Sequence, residues 1–138
     1  MTNKDGSCLG VATVKGRIIP AVRMTRGGKW VKANAKEYLA KQEWLAWELK
    51  TQMTPMPERT PLCLKVEFTR AWLFRGDLDN LVKSILDAAQ RAGIILNDAY
   101  IVRIEAEKHI STEDDDLTEV SIWQSETYLG QPTEIVKR

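Results

Sequence analysis

The feature that most limits the fold of this chain is a change of hydrophobic period between residues 61 and 92. From Pro61 to Arg70 the side chains alternate, with Leu62, Leu64, Val66 and Phe68 on one side and Cys63, Lys65, Glu67 and Thr69 on the other. That is the pattern of a strand with one face in the core. From about Leu78 to Ala92 the apolar residues Leu81, Val82, Ile85, Ala88, Ala89 and Ala92 recur at helical spacing, and Gly93 is a natural stop. A half-buried strand followed directly by a one-faced helix calls for a sheet with helices packed on it.

The remaining segments fit that layer arrangement. Leu9 to Val22 reads as extended chain broken at Gly16 and Pro20, and Gly27-Gly28 suits a tight hairpin turn. A helix is predicted over roughly 34–52, with Asn34 as N-cap, Glu37 completing a capping box, and Pro55 and Pro57 beyond its end. Ala35, Tyr38, Leu39, Gln42, Leu45 and Leu49 fall near one face of it. Trp44 and Trp47 are expected to pack against the sheet or a subunit interface. Strands follow at about 99–110 and 117–123, joined by an acidic turn at 113–116. The expected fold is a single α+β domain: a mixed or largely antiparallel sheet of about four strands with two main helices, and loosely ordered ends at about 1–8 and 126–138.

Composition narrows the chemistry. The 138 residues suffice for one domain with its own core. No run of apolar residues is long enough for a membrane helix, and the start M-T-N-K-D-G-S-C lacks the apolar segment of a signal peptide, so a cytoplasmic protein with no membrane partner is expected. His109 is the single histidine, and Cys8 and Cys63 have no metal-ligand spacing. Clustered His/Cys zinc sites and His-dependent nucleophilic triads are therefore set aside, and a metal would be held mainly by oxygen. Charge is unevenly spread. Residues 1–50 carry ten Lys/Arg against four Asp/Glu, and residues 77–138 carry six against thirteen. Such asymmetry suits a polyanion on one side and cations on the other.

The chemically suggestive segment is R-G-D-L-D-N-L-V-K-S-I-L-D, Arg75 to Asp87. Asp77 and Asp79 bracket the start of the second helix. Asp79, Lys83 and Asp87 share one of its faces, opposite the apolar stripe. Asp98 follows the helix and leads into a strand that can carry it back toward the first two aspartates if it runs beside the helix. Asp77, Asp79 and Asp98 are candidate Mg²⁺ ligands, and Lys83 is a candidate cation for the scissile phosphate. The same residues also suit a helix cap with surface ion pairs. Spacing alone leaves both readings open and favours the cap. Glu113-Asp114-Asp115-Asp116 is denser in charge, but consecutive carboxylates in a turn diverge, and it reads as a solvated loop.

The run D-L-D-N-L-V-K-S-I-L-D-A at 77–88, followed by A-G-I-I-L-N-D at 92–98, resembles the signature of the RusA family of Holliday junction resolvases. That signature is D-x-D-N-x-x-K-x-x-x-D-A-L, a glycine after the helix, and an acidic pair. The likeness is sharp over 77–98 and extends loosely over roughly 11–123. It implies a small homodimeric endodeoxyribonuclease that uses Mg²⁺, with Mn²⁺ as a substitute, to cut four-way DNA junctions by paired symmetric nicks. By the same resemblance Asp77, Asp79 and Asp98 match the catalytic, metal-binding carboxylates and Lys83 the catalytic lysine. Asn80 and Asp87 match supporting positions, Asp87 orienting Lys83 or a nearby backbone group. Two positions depart from the pattern: the acidic pair is Asn97-Asp98, and Ala89 replaces the usual leucine.

Given that resemblance, Arg23, Arg26, Lys29 and Arg75 are expected to contact DNA phosphates, which favours recognition by shape over base sequence. Three other readings remain: a metal-dependent nuclease for flaps or other branched DNA, a junction-binding protein that does not cleave, and an α+β interaction domain in which the Asp/Lys stripe is only capping and ion pairing.

Overall fold

The computed structural model describes residues 8–21, 29–70, 76–110 and 116–125, with backbone only for residues 8, 29–34 and 70. Strand β1 (Cys8–Lys15) is followed by helix α1 (Lys29–Gln52), strand β2 (Leu62–Arg70), helix α2 (Leu78–Arg91), a short 3₁₀ turn (Asp98–Tyr100), strand β3 (Ile101–Ile110) and strand β4 (Leu117–Gln124). The sheet order is β1-β4-β2-β3. β4 pairs antiparallel with both β1 and β2, whereas β2 and β3 are parallel. A parallel pair needs a crossover, and α2 supplies it. The fold is thus α+β with a mixed four-stranded sheet.

The period change is realised as expected. Leu62, Leu64, Val66 and Phe68 are each 1% exposed or less, and they meet Leu81, Ile85 and Ala88 of α2 and Leu45 and Leu49 of α1 in one core. Full burial of a side chain such as Phe68 is worth roughly 2–3 kcal/mol. On the other face of β2, Cys63 is also buried, because Trp123 of β4 lies in register beside it.

Helix α1 begins at Lys29, five residues before the expected start. Asn34 is therefore interior to the helix, and the capping box with Glu37 does not form. No glycine or proline stands between Lys29 and Asn34, so nothing in that stretch halts a helix, and the modest propensity of one asparagine does not outweigh its neighbours. Leu39 is 41% exposed and Trp47 62% exposed, off the buried stripe of Tyr38, Gln42, Leu45 and Leu49. Trp44 packs against the core beside Gly16, with the Lys41 ammonium 4.7 Å from its ring. The Gly27-Gly28 turn and the chain ends at 1–7 and 126–138 lie outside the described residues.

β3 forms one edge of the sheet, and the helices cover it only in part, over Ile101 and Ala106. Ile104 and Ile110, which lie on the helix side of that strand, remain exposed, as do Val102 near its start and Leu96 before it. An apolar edge strand of this kind is an invitation to association.

Candidate active site

The turn into α2 is set by Gly76, whose φ of 81° is accessible to glycine at little cost. A Cβ there would stand 2.5 Å from Cγ of Pro20, so the turn is tight as well as left-handed. The Lys108 ammonium, reaching over from β3, donates to the Gly76 carbonyl. The Ala21 N–H donates to the Asn80 carbonyl at 3.1 Å, and the Ser84 hydroxyl donates to the Ile19 carbonyl. The first turns of α2 are therefore fixed from both sides by hydrogen bonds to backbone carbonyls.

On that turn sit Asp77 and Asp79, both exposed. Asp77 occupies the N-cap position in extended conformation, yet its side chain makes no capping hydrogen bond. Asp79 accepts from the N–H of its neighbour Asn80 at 2.8 Å. The capping explanation thus fails for Asp77: its carboxylate is not used to satisfy the helix end. Two carboxylates at the positive end of a helix dipole offer hard oxygen donors suited to Mg²⁺.

Lys83 lies along the same face and donates to Asp87 at 3.1 Å. The other oxygen of Asp87 accepts a 2.9 Å hydrogen bond from the hydroxyl of Tyr38 on α1. Tyr38 is buried, and its pKa is raised well above the ordinary phenol value, first by burial and then by the hydrogen bond and charge of Asp87. Beneath this chain, Gln42 donates to the Ser84 carbonyl at 3.0 Å and ties the two helices together. Tyr38 had looked like one more member of the apolar stripe. The available signal was its type: a buried tyrosine carries a polar end that needs a partner.

Asp98 is placed elsewhere. Its N–H donates to the side chain of Gln90, in the last turn of α2, at 3.2 Å. The strand after Asp98 does run back along α2, but Asp98 stands at that strand's beginning. A helix of 14 residues spans about 21 Å. Within one chain, then, Asp77 and Asp79 lie at one end of α2 and Asp98 at the other. Asn97, where the chain departs from the acidic pair, accepts from the Ala99 N–H at 2.8 Å and caps the 3₁₀ turn that presents Asp98.

Of the cations expected to meet DNA, Lys29 opens α1. Arg23, Arg26 and Arg75 lie outside the described residues, as does most of the acidic turn. Asp116, at the end of that turn, approaches Arg17 at 3.9 Å.

The family model for the endodeoxyribonuclease RusA matches residues 13–122, which is well over half of the chain. The chain belongs to the RusA family. No curated protein matches it. Membership makes it an endodeoxyribonuclease, a hydrolase of the kind that acts at crossover junctions, in a family that generally depends on a divalent metal. The matched span contains Asp77, Asp79, Asn80, Lys83, Asp87 and Asp98, the signature residues named above.

Proposed function

We propose that this RusA-family nuclease resolves four-way DNA junctions as a homodimer, making paired symmetric nicks with Mg²⁺, or Mn²⁺ in its place. The observation that carries the reading is the Asp77 carboxylate, held at the start of α2 beside Asp79 and unused by any cap. Asp77 and Asp79 hold the metal, which when bound supplies activation of water and neutralisation of the phosphate charge. Lys83, oriented by Asp87, binds the scissile phosphate and offsets the charge that develops on it. Arg23, Arg26, Lys29 and Arg75 hold the flanking phosphates. Water, rather than a side chain, is the attacking nucleophile in this reading. The cytoplasm is the compartment that fits a soluble enzyme of DNA recombination and repair.

The separation of Asp98 from Asp77 and Asp79 favours a dimer with shared sites. A two-fold axis that sets two β3 edges antiparallel carries the Asp98 end of one protomer toward the Asp77 end of the other, and it covers the exposed Val102, Ile104 and Ile110. Each junction strand then meets one composite site.

The test is to incubate the protein with a four-way junction, a flap and a linear duplex of related sequence, with Mg²⁺ and with chelator. Paired symmetric nicks in the junction alone, abolished by chelator, are expected. Equal cutting of all three substrates would remove the junction specificity, and preferred cutting of the flap would favour the branched-DNA reading instead.

A further inference from the structure

The outer face of the sheet, away from both helices, carries a second constellation. Glu67 of β2 is in register with Glu107 of β3 on one side and with Glu119 of β4 on the other. Three glutamates therefore stand in a row across three strands. Like charges directly opposite one another in a sheet destabilise it unless something cationic lies among them. Lys65 pairs with one oxygen of Glu67 at 3.4 Å, which leaves the other oxygen free to face His109.

His109 stands two residues after Glu107, on the same face of β3. Its Nε2 lies 3.4 Å from Oε1 of Glu107 and 3.8 Å from Oε1 of Glu67. That nitrogen is shielded from solvent and has no hydrogen-bond partner, although the rest of the ring is partly exposed. Among the described residues, these three form a group whose ligand atoms all lie within 4.8 Å of one another. Ligands held about 2.1 Å from a tetrahedral ion stand roughly 3.4 Å apart, so the observed spacing is close to that of a coordination shell.

We propose that Glu67, Glu107 and His109 form a second divalent-cation site, selective for an ion of the Zn²⁺ type and distinct from the Asp77/Asp79 centre. The imidazole sets the class: nitrogen ligation suits Zn²⁺ and its transition-series neighbours, whereas Mg²⁺ prefers all-oxygen sites and sheds water reluctantly. The two centres occupy different faces. Lys108, between Glu107 and His109 in sequence, points to the other side of β3 and there meets Gly76. An ion bound by the triad ties the edge strand β3 to β2 and relieves the row of like charges. With 69% of Glu107 and 42% of His109 exposed, it has a path in from solvent.

Because His109 is the single histidine, its imidazole proton signals report on this site alone. The experiment follows them by NMR in the untagged full chain, titrated with Zn²⁺ and separately with Mg²⁺. It is run in the wild type, in Asp77→Asn/Asp79→Asn and in Glu107→Gln. Expected are a saturable one-to-one response to Zn²⁺ and none to Mg²⁺. The aspartate double variant should respond as the wild type does, and Glu107→Gln should bind at least about tenfold more weakly. Any of three results overturns the proposal: no response of His109 to Zn²⁺, loss of the response in the aspartate variant, or undiminished affinity in Glu107→Gln.

Discussion

The hydroxyl of Tyr38 on α1 donates to the same carboxylate that receives the Lys83 ammonium, so one aspartate, Asp87, links a buried phenol to an exposed cation. Asp87 is thereby held from behind while it orients Lys83 in front. In the proposed site Tyr38 is a positioning residue, because its contact with Lys83 runs through Asp87.

Tyr38→Phe removes only the hydroxyl. Loss of one hydrogen bond to a charged acceptor is worth about 1–2 kcal/mol when it is fully felt. The expected outcome is a fall in single-turnover cleavage of about five- to thirtyfold with junction affinity unchanged. Equal rates in the two proteins would show that Lys83 needs no such support.

The same residue gives the fold an alkaline limit. A free phenol of this kind titrates at 10.0, and the folded protein raises that value. Between those two values the native state holds a proton that the unfolded chain has released, so stability falls as pH rises above about 10. Below that pH the contribution is fully present. Urea melts across this range should show a steeper alkaline decline in the wild type than in Tyr38→Phe. Parallel declines would assign the loss to other groups.

Shared sites have a distinctive genetic signature. Asp79→Asn and Asp98→Asn should each abolish cleavage as homodimers while junction binding survives. In a mixed dimer of the two variants, one composite site carries both changes and the other carries none. Such a mixture should regain nicking at a single strand, seen as nicked rather than resolved junctions. If it stays inert, each site draws all its carboxylates from one chain.

Gly76 and Gly93 both have positive φ, but their surroundings differ. Alanine at Gly76 meets Pro20, whereas alanine at Gly93 meets nothing within 4 Å. Gly93→Ala should cost about 1 kcal/mol for its backbone conformation, and Gly76→Ala about 2–3 kcal/mol together with loss of cleavage, since the turn that presents Asp77 must shift. Denaturant midpoints rank the two; equal costs would mean that Pro20 yields freely.

The basic N-terminal segment is tested by salt. Arg26→Ala should weaken junction binding and reduce the slope of log affinity against log salt by about 0.9, the value for one phosphate contact. An unaltered slope would place Arg26 away from the DNA.

Much of the fold was legible because burial and period coincide. Phe68 and Ile85 lie where their spacing puts them, and Gly93 ends α2 as glycine ordinarily does. The start of α1 was not legible, since the capping pattern at Asn34 and Glu37 is local and a continuing helix overrides it. At the active site the sequence order of Asp77, Asp79, Lys83 and Asp98 was plain, but order along a chain says nothing about which end of a helix a residue returns to. The approach of Glu67 to His109 was hidden for a related reason: it depends on the parallel register of β2 and β3, which no short-range pattern encodes.

The strand order β1-β4-β2-β3 also dictates when the molecule can come together. β2, α2 and β3 are consecutive and can assemble as soon as they leave the ribosome. β1, though made first, touches the sheet only through β4, the last strand to be synthesised. Until residue 124 has emerged, β2 keeps an open edge and β1, though Gln52 of α1 bonds its Thr13 backbone, has no strand to pair with. Long-range pairing of this sort slows folding, so a nascent chain carries Asp77 and Asp79 for some time before the sheet beneath them is complete. The scaffold of this nuclease is thus closed by the strand that pairs with both β1 and β2.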